Sequence, residues 1–323
     1  MGEVRPQAQI GSQTQLALDL IRKGAPDDLA RAVRALQETP AAERAEAAAL
    51  LAVLAGLGVG MAQDWDAALD HLQAAAVAGS ESARGQLGAM ASDDAVLAAG
   101  AEADPEIWRA LRASITAAAW TAPCEKKVLF QSPRVVAIEG FLSRRVCDWI
   151  IARGADRLAP ARVHDDGDAA GRIDLGRTNS AFEIDFDHLD LVILMVRTRI
   201  AATIGLPAAA FESPQILHYA AGQSFALHHD YLDPDKAAPA ANIAAFGQRI
   251  VTFLTYLNAD FEGGETDFPR IGLRHRAGAG DALYFGNVEP SGAVDPRTLH
   301  AGLPPKLGEK WLLSQWIRNR ARV

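Results

Sequence analysis

The chain has 323 residues, of which 49% are hydrophobic, and a formal net charge of −8 at pH 7. That length suits about two domains, and that apolar content excludes an intrinsically disordered chain. The negative charge argues against a general affinity for nucleic acid or an anionic membrane, and two cysteines, Cys124 and Cys147, are too few for a disulfide framework and fit a reducing cytoplasm.

Met1 to Ile10 is polar and lacks the apolar centre of a secretory signal. From about Gln13 to Trp120 the chain is Ala-rich, with apolar residues at helical spacing. Leu29, Val33 and Leu36 mark one apolar stripe, and Leu69, Leu72, Ala75 and Ala76 another. Gly79 stops the second, and Ser80 caps a following helix that carries Ala83, Leu87 and Met90. The uncharged, largely Ala and Gly run Ala47 to Ala62 falls short of the roughly 20 apolar residues a membrane span needs, so it reads as a buried helix. These signals predict an all-α domain over residues 1–122 in a soluble, cytoplasmic protein. Trp65 through Gly79 to Gly88 is similar to a single Sel1-type or tetratricopeptide-type hairpin, which needs neighbours to bury its face. The helices from Pro26 to Gly56 would supply them, and an ordinary helical bundle fits the same residues.

Near Pro123 to Pro133 the texture changes to short β-branched and aromatic runs separated by Gly, Pro and Asp. Strands are expected at Val135–Glu139, Gln215–Tyr219, Ile250–Leu257, Ala282–Phe285 and Trp311–Ile317, with helices at Ser143–Arg153 and Leu189–Ile204. Many short strands with frequent turns point to a sandwich or barrel of the jelly-roll kind over residues 123–323. The fold class expected for the whole chain is therefore α+β.

Within that region stands Gln223-Ser224-Phe225-Ala226-Leu227-His228-His229-Asp230-Tyr231. An imidazole and a carboxylate two residues apart on a strand project to one face. With His300 from a returning strand, the set becomes two nitrogens and one oxygen on one side of a metal. That is the facial ligand set of non-haem Fe(II) oxygenases, and a cupin-like or zinc-binding jelly roll would use the same residues. Lys310, in Gly308-Glu309-Lys310-Trp311, adds a cation of the kind that the distal carboxylate of 2-oxoglutarate requires.

Residues from about Val135 to Arg318 resemble the catalytic domain of the prolyl 4-hydroxylase family of 2-oxoglutarate- and Fe(II)-dependent dioxygenases. The pieces stand in family order: Phe141-Leu142-Ser143 with Cys147, Arg177-Thr178-Asn179-Ser180, and Tyr219-Ala220-Ala221-Gly222-Gln223. After the histidine pair come Arg249 to Asn258, Phe261-Glu262-Gly263-Gly264-Glu265-Thr266, Gly280-Asp281-Ala282-Leu283 and His300-Ala301-Gly302. The resemblance implies a double-stranded β-helix with flanking helices, with His228, Asp230 and His300 binding Fe(II) and Lys310 pairing with 2-oxoglutarate. It places Tyr219 and Thr252 around the co-substrate, and Arg249, Trp316 and Phe225 on the substrate side. For Arg249 a salt bridge to an acidic neighbour is the alternative. The implied reaction consumes O2, converts 2-oxoglutarate to succinate, is supported by ascorbate, and hydroxylates an unactivated C–H, foremost that of a peptidyl proline. A free amino acid or other small metabolite, or a catalytically silent interaction protein, are the alternatives. The helical domain would recruit a protein substrate or mediate self-association.

Phe225 stands where that family often has tyrosine, which removes a hydroxyl from the site. Leu227 replaces a common proline, and Gly302-Leu303-Pro304-Pro305 follows the distal histidine. Two polar or Ala/Pro-rich loops, His164–Arg172 and Tyr231–Gln248, read as lids over the substrate groove. His229, His218, His275, His71, His164 and His188 read as packing or solvated residues.

Overall fold

The computed structural model of the protein describes residues 11–91, 104–163 and 172–321, so the loop expected at His164–Arg172 lies almost wholly outside the described residues. The chain forms two compact units, one made of the residues to Thr121 with Leu189–Val196, the other of Ala122–His188 with Arg197 onward.

The first unit holds helices α1 (Ser12–Lys23), α2 (Pro26–Gln37), α3 (Arg44–Leu57), α4 (Trp65–Val77), α5 (Glu81–Met90), α6 (Pro105–Ser114) and the short α7 (Ala117–Thr121). Pro26 and Pro105 sit at first helical positions, where the missing N–H costs nothing. Asp64 and Ser80 cap α4 and α5 by accepting from the Ala67 and Ala83 amides at 3.0 and 3.2 Å. Ala17, Leu20, Ala32, Val33, Leu36, Ala47, Leu51 and Leu54 form one core across α1, α2 and α3. The helical stripes of the sequence are thus the buried faces. Among the described residues no helix is long and apolar enough to cross a membrane.

The second unit carries α8 (Arg144–Ala155), the C-terminal part of α9 (Leu191–Ile204) and α10 (Ala237–Phe246) beside short strands. In chain order these are β1 (Lys127–Phe130), β2 (Val135–Ile138), β3 (Ala159–Pro160), β4 (Arg162–Val163), β5 (Arg172–Ile173), β6 (Ser180–Glu183), β7 (Gln215–Tyr219) and β8 (Phe225–His228). They continue with β9 (Arg249–Tyr256), β10 (Phe261–Gly263), β11 (Thr266–Phe268), β12 (Leu273–His275), β13 (Ala282–Gly286), β14 (His300–Gly302), β15 (Pro305–Gly308) and β16 (Lys310–Arg318). The larger sheet runs β1-β2-β13-β9-β16-β7-β6-β3, and the smaller runs β12-β11-β14-β8. Every strand pairing in both is antiparallel. Side chains from both sheets meet in one core, with Tyr219, Leu254, Tyr256, Leu283, Phe285 and Leu312 from the larger and Phe268 from the smaller. That core is the hydrophobic term that brings two half-apolar sheets face to face. The architecture is mixed helix and antiparallel sheet, with the helices first and the sheets after them.

Two local features differ from the sequence reading. The segment Tyr231–Gln248, expected as open loop, contains α10. Pro239 falls in its first turn, where no intrahelical N–H is needed, so the proline that suggested a loop is compatible with a helix. The strand that carries His228 also ends there, and Asp230 stands two residues beyond it in a bend.

Candidate active site

His228 closes β8 and His300 opens β14, and the two residues are directly paired across the ladder. Their ring centroids are 4.2 Å apart. The bend after His228 brings Asp230 to the same place, with its Oδ1 at 3.6 Å from His228 Nε2 and its Oδ2 at 3.5 Å from His300 Nε2. All three potential ligand atoms lie within 4.8 Å of one another.

The other nitrogen of each imidazole fixes its tautomer. His228 Nδ1 is 2.8 Å from the Ala226 carbonyl and His300 Nδ1 is 3.0 Å from the Thr298 carbonyl. A carbonyl can only accept, so each Nδ1 carries a proton and each Nε2 is the nitrogen that faces Asp230. Burial, reinforced by neighbouring His228, pushes His300 down to about 4, so it is neutral at pH 7. For Asp230 burial works upward, but the two imidazoles and a hydrogen bond from Thr252 outweigh it and hold the carboxyl well below the usual range. The Thr252 hydroxyl donates to Asp230 Oδ2 at 2.7 Å and accepts from Asn287 Nδ2 at 3.0 Å. Two imidazole Nε2 atoms and one carboxylate oxygen converge, a donor set that fits a divalent cation.

Lys310 opens β16, opposite Tyr219 on β7. It is 1% exposed, and its Nζ donates to the Gly264 carbonyl at 2.7 Å. The ammonium lies 5.3 Å from the Tyr219 ring centroid and 5.2 Å from that of Tyr256. Burial pushes it down to about 7, against a smaller upward pull from Glu265. The turn that aims the Gly264 carbonyl needs two glycines, at φ +75° and +67°, conformations that L side chains resist.

A pocket of about 420 Å³ joins these parts: its walls include His228, Asp230, His300, Lys310, Tyr219, Phe225 and Trp316. Phe225 stacks on His228, with centroids 3.5 Å apart and planes 13° from parallel. Two site residues of the sequence reading stand elsewhere. Thr252 lies under Asp230, and its hydroxyl is engaged there. Arg249 does not line the pocket: it forms two hydrogen bonds of 2.7 and 2.8 Å to the Glu212 carboxylate and lies 3.8 Å over the Trp316 ring. The salt-bridge alternative is the geometry found, because a partly buried guanidinium beside a fork-matched carboxylate is held there.

Several residues stand in the site without having been assigned a role there. Tyr256 and Thr266 are joined by a 2.7 Å hydrogen bond beside Lys310, Asn287 supports Thr252, and Arg177 lines the pocket. Arg177, Tyr256 and Thr266 lie in blocks shared with the family, whereas no motif marks Asn287. Of the other histidines, His229 turns away to the Pro296 carbonyl at 3.1 Å, and His218 meets Glu309 at 2.9 Å. His188 pairs with Asp185 at 2.6 Å, and His164 lies outside the described residues.

Residues 214–318, which span this site from β7 to β16, match the profile of the 2OG-Fe(II) oxygenase superfamily. Prolyl 4-hydroxylase 1 of Arabidopsis thaliana is 32% identical over 209 residues, covering 60% of this chain and 72% of that protein. The probable prolyl 4-hydroxylase 7 of the same plant is 33% identical, covering 62% and 67%. Among solved structures, the viral collagen prolyl hydroxylase of Paramecium Bursaria Chlorella virus-1 is 30% identical, covering 57% of this chain and 95% of that one, with a TM-score of 0.45. The chain belongs to the prolyl 4-hydroxylase family of 2OG-Fe(II) oxygenases. That membership implies Fe(II), 2-oxoglutarate and O2.

Proposed function

We propose that the protein hydroxylates a prolyl residue of a peptide, with Fe(II) held by His228, Asp230 and His300 and 2-oxoglutarate anchored by Lys310. The observation that carries the reading is the convergence of two imidazole Nε2 atoms and one carboxylate in the same pocket as the buried Lys310. When bound, Fe(II) and 2-oxoglutarate supply the O2-dependent oxidation that yields succinate, CO2 and a hydroxylated carbon.

The chain's own residues prepare for that chemistry. The Ala226 and Thr298 carbonyls hold the imidazoles in the tautomer that can ligate, and the Thr252 and Asn287 pair keeps the Asp230 carboxylate turned toward them. Lys310, held between two tyrosine rings, offers a fixed positive charge to the distal carboxylate. Tyr219 and Phe225 close the walls, and Trp316 lies toward the substrate side. Leu217, Leu254 and Leu312 keep water from the reacting centre. We read the two facing sheets as a double-stranded β-helix, and the segment Tyr231–Gln248 with α10 as a lid over the groove. Ascorbate supports the iron, and the protein works in the cytoplasm. The α4–α5 hairpin is read as Sel1-like or tetratricopeptide-like, and the helical unit as the part that recruits the protein substrate.

The test is succinate release by the intact protein with Fe(II), ascorbate and a library of proline-containing peptides, with His228→Ala as control. Peptide-stimulated release that His228→Ala abolishes is expected. Stimulation by small molecules alone would overturn the peptidyl reading.

A further inference from the structure

Among the described residues, the pocket keeps one positive charge that the metal and co-substrate leave uncompensated. Two cations line it, Arg177 and Lys310, against one carboxylate, Asp230. A divalent metal and the 2-oxoglutarate dianion cancel, Asp230 offsets one cation, and Lys310 is the one that meets the co-substrate. Arg177 remains.

It is 6% exposed, yet every hydrogen bond its guanidinium donates among the described residues ends on a neutral oxygen. These are Asn179 Oδ1 at 3.3 Å, the Arg162 carbonyl at 2.9 Å and Gln215 Oε1 at 3.4 Å. A guanidinium has five N–H donors, so two have no acceptor among the described residues. A buried guanidinium without a counter-charge is costly, and a carboxylate with two oxygens is its best-matched partner. The same bias holds elsewhere on the wall: Trp316 Nε1 is buried without an acceptor among the described residues. Arg177 lies 4.7 Å over the Phe225 ring, and that ring stacks on His228, so the guanidinium belongs to the wall beside the metal site. Phe225 has no hydroxyl, which leaves polar recognition on that wall to Arg177.

We infer that Arg177 selects a substrate that presents a carboxylate close to the carbon being hydroxylated, and that this carboxylate takes the unused guanidinium donors. The inference rests on the oxygenase reading above and sharpens its substrate class. The carboxylate is either an acidic side chain flanking the target residue or the α-carboxylate of a terminal or free amino acid.

Calorimetric titration of the full chain, loaded with Mn(II) and 2-oxoglutarate, separates these sources with matched pairs of probes. The pairs are Glu against Gln beside proline in one peptide, a free against an amidated C-terminal proline, and proline against prolinamide. In at least one pair the acid should bind about 10- to 100-fold more tightly, and the pair that does so identifies the source. Arg177→Gln should bring both members of that pair to one Kd while leaving Mn(II) and 2-oxoglutarate binding within about twofold. Arg177→Lys, which keeps the charge without the fork, should retain part of the preference, distinguishing a lost contact from a damaged fold. Equal binding of acid and amide by the intact protein, or a preference that survives Arg177→Gln, overturns the inference alone. So does an Arg177→Gln loss of 2-oxoglutarate affinity as large as that of Lys310→Ala. Absence of binding by every one of these compounds overturns the prolyl reading and the inference together.

Discussion

On the proposed reading Lys310 anchors the co-substrate, through a charge that its own burial makes labile. An ammonium pushed down to about 7 is fully present only below that pH and is lost as the pH rises through it. The 2-oxoglutarate dianion binds the charged form, so its KM should be flat below about pH 7 and climb above it, approaching tenfold per pH unit. A KM independent of pH between 6.5 and 8.5 would remove Lys310 from this role. Replacement by alanine deletes a charge-assisted hydrogen bond worth about 1.5–3 kcal/mol, so Lys310→Ala should weaken 2-oxoglutarate binding about 10- to 100-fold and leave metal affinity nearly unchanged. Equal loss of both would mean the cation is misassigned. Thr252 acts on the other end of the site. Thr252→Val keeps the shape but removes the donor to Asp230 and the acceptor for Asn287, and such supporting partners are typically worth about 10- to 100-fold in metal affinity. Mn(II) titration should record a loss of that order with 2-oxoglutarate recognition by Lys310 intact.

At the scale of strands and turns, the sequence was informative where a side-chain period meets a core and silent where a contact closes over distance. Gln215–Tyr219 is read to the residue because its apolar and aromatic residues are flanked by Pro214 and the Ala220–Gly222 turn, and Ala282–Phe285 differs from β13 by one residue. The β9 strand was expected one residue late at both ends, since Arg249 looks like loop until Glu212 is seen to hold it. The α10 helix was hidden because its apolar residues lack a buried face, so no period marks it. The metal set and Lys310 were legible from spacing and resemblance. The placement of Thr252 under Asp230, Tyr256 beside Lys310 and Arg177 in the pocket wall was not, because each depends on which strands become neighbours. What the Gly263–Gly264 turn does follows from its geometry. A Cβ on Gly264 would fall 2.9 Å from the Phe261 ring and 3.4 Å from Lys310 Cδ, at a positive φ that costs about 1–2 kcal/mol for other residues. Gly264→Ala should therefore lower the melting temperature by about 2–8 °C. It should also raise the KM for 2-oxoglutarate, because the carbonyl that holds Lys310 moves with the turn. An unchanged KM would separate the turn from the cation.

At the scale of the whole chain, the expected cut after residue 122 differs from the division in the structure. Leu189–Val196 clusters with the N-terminal helices although it lies far along the second half of the chain. Leu191, Val192, Ile193, Leu194, Met195 and Val196 are all buried. Within that unit the Leu191 amide donates to Gln86 Oε1 at 2.9 Å, and Gly56 on α3 leaves room for Leu191 and Leu194, whose methyl carbons would lie 3.1 and 3.4 Å from an added Cβ. A fragment of residues 123–323 keeps this apolar segment but loses the helices it packs with. Exposing large aliphatic side chains costs about 1.5–3 kcal/mol each, and Leu191 and Leu194, three apart on one helix face, would leave apolar surface of the kind that drives association. The fragment should therefore melt below the full chain and elute as aggregate on size-exclusion chromatography. Asp or Lys replacements at two of the six positions should restore solubility to the fragment and destabilise the full chain. A fragment that is monomeric and melts with the intact protein would show that Leu191–Val196 stands without the N-terminal helices.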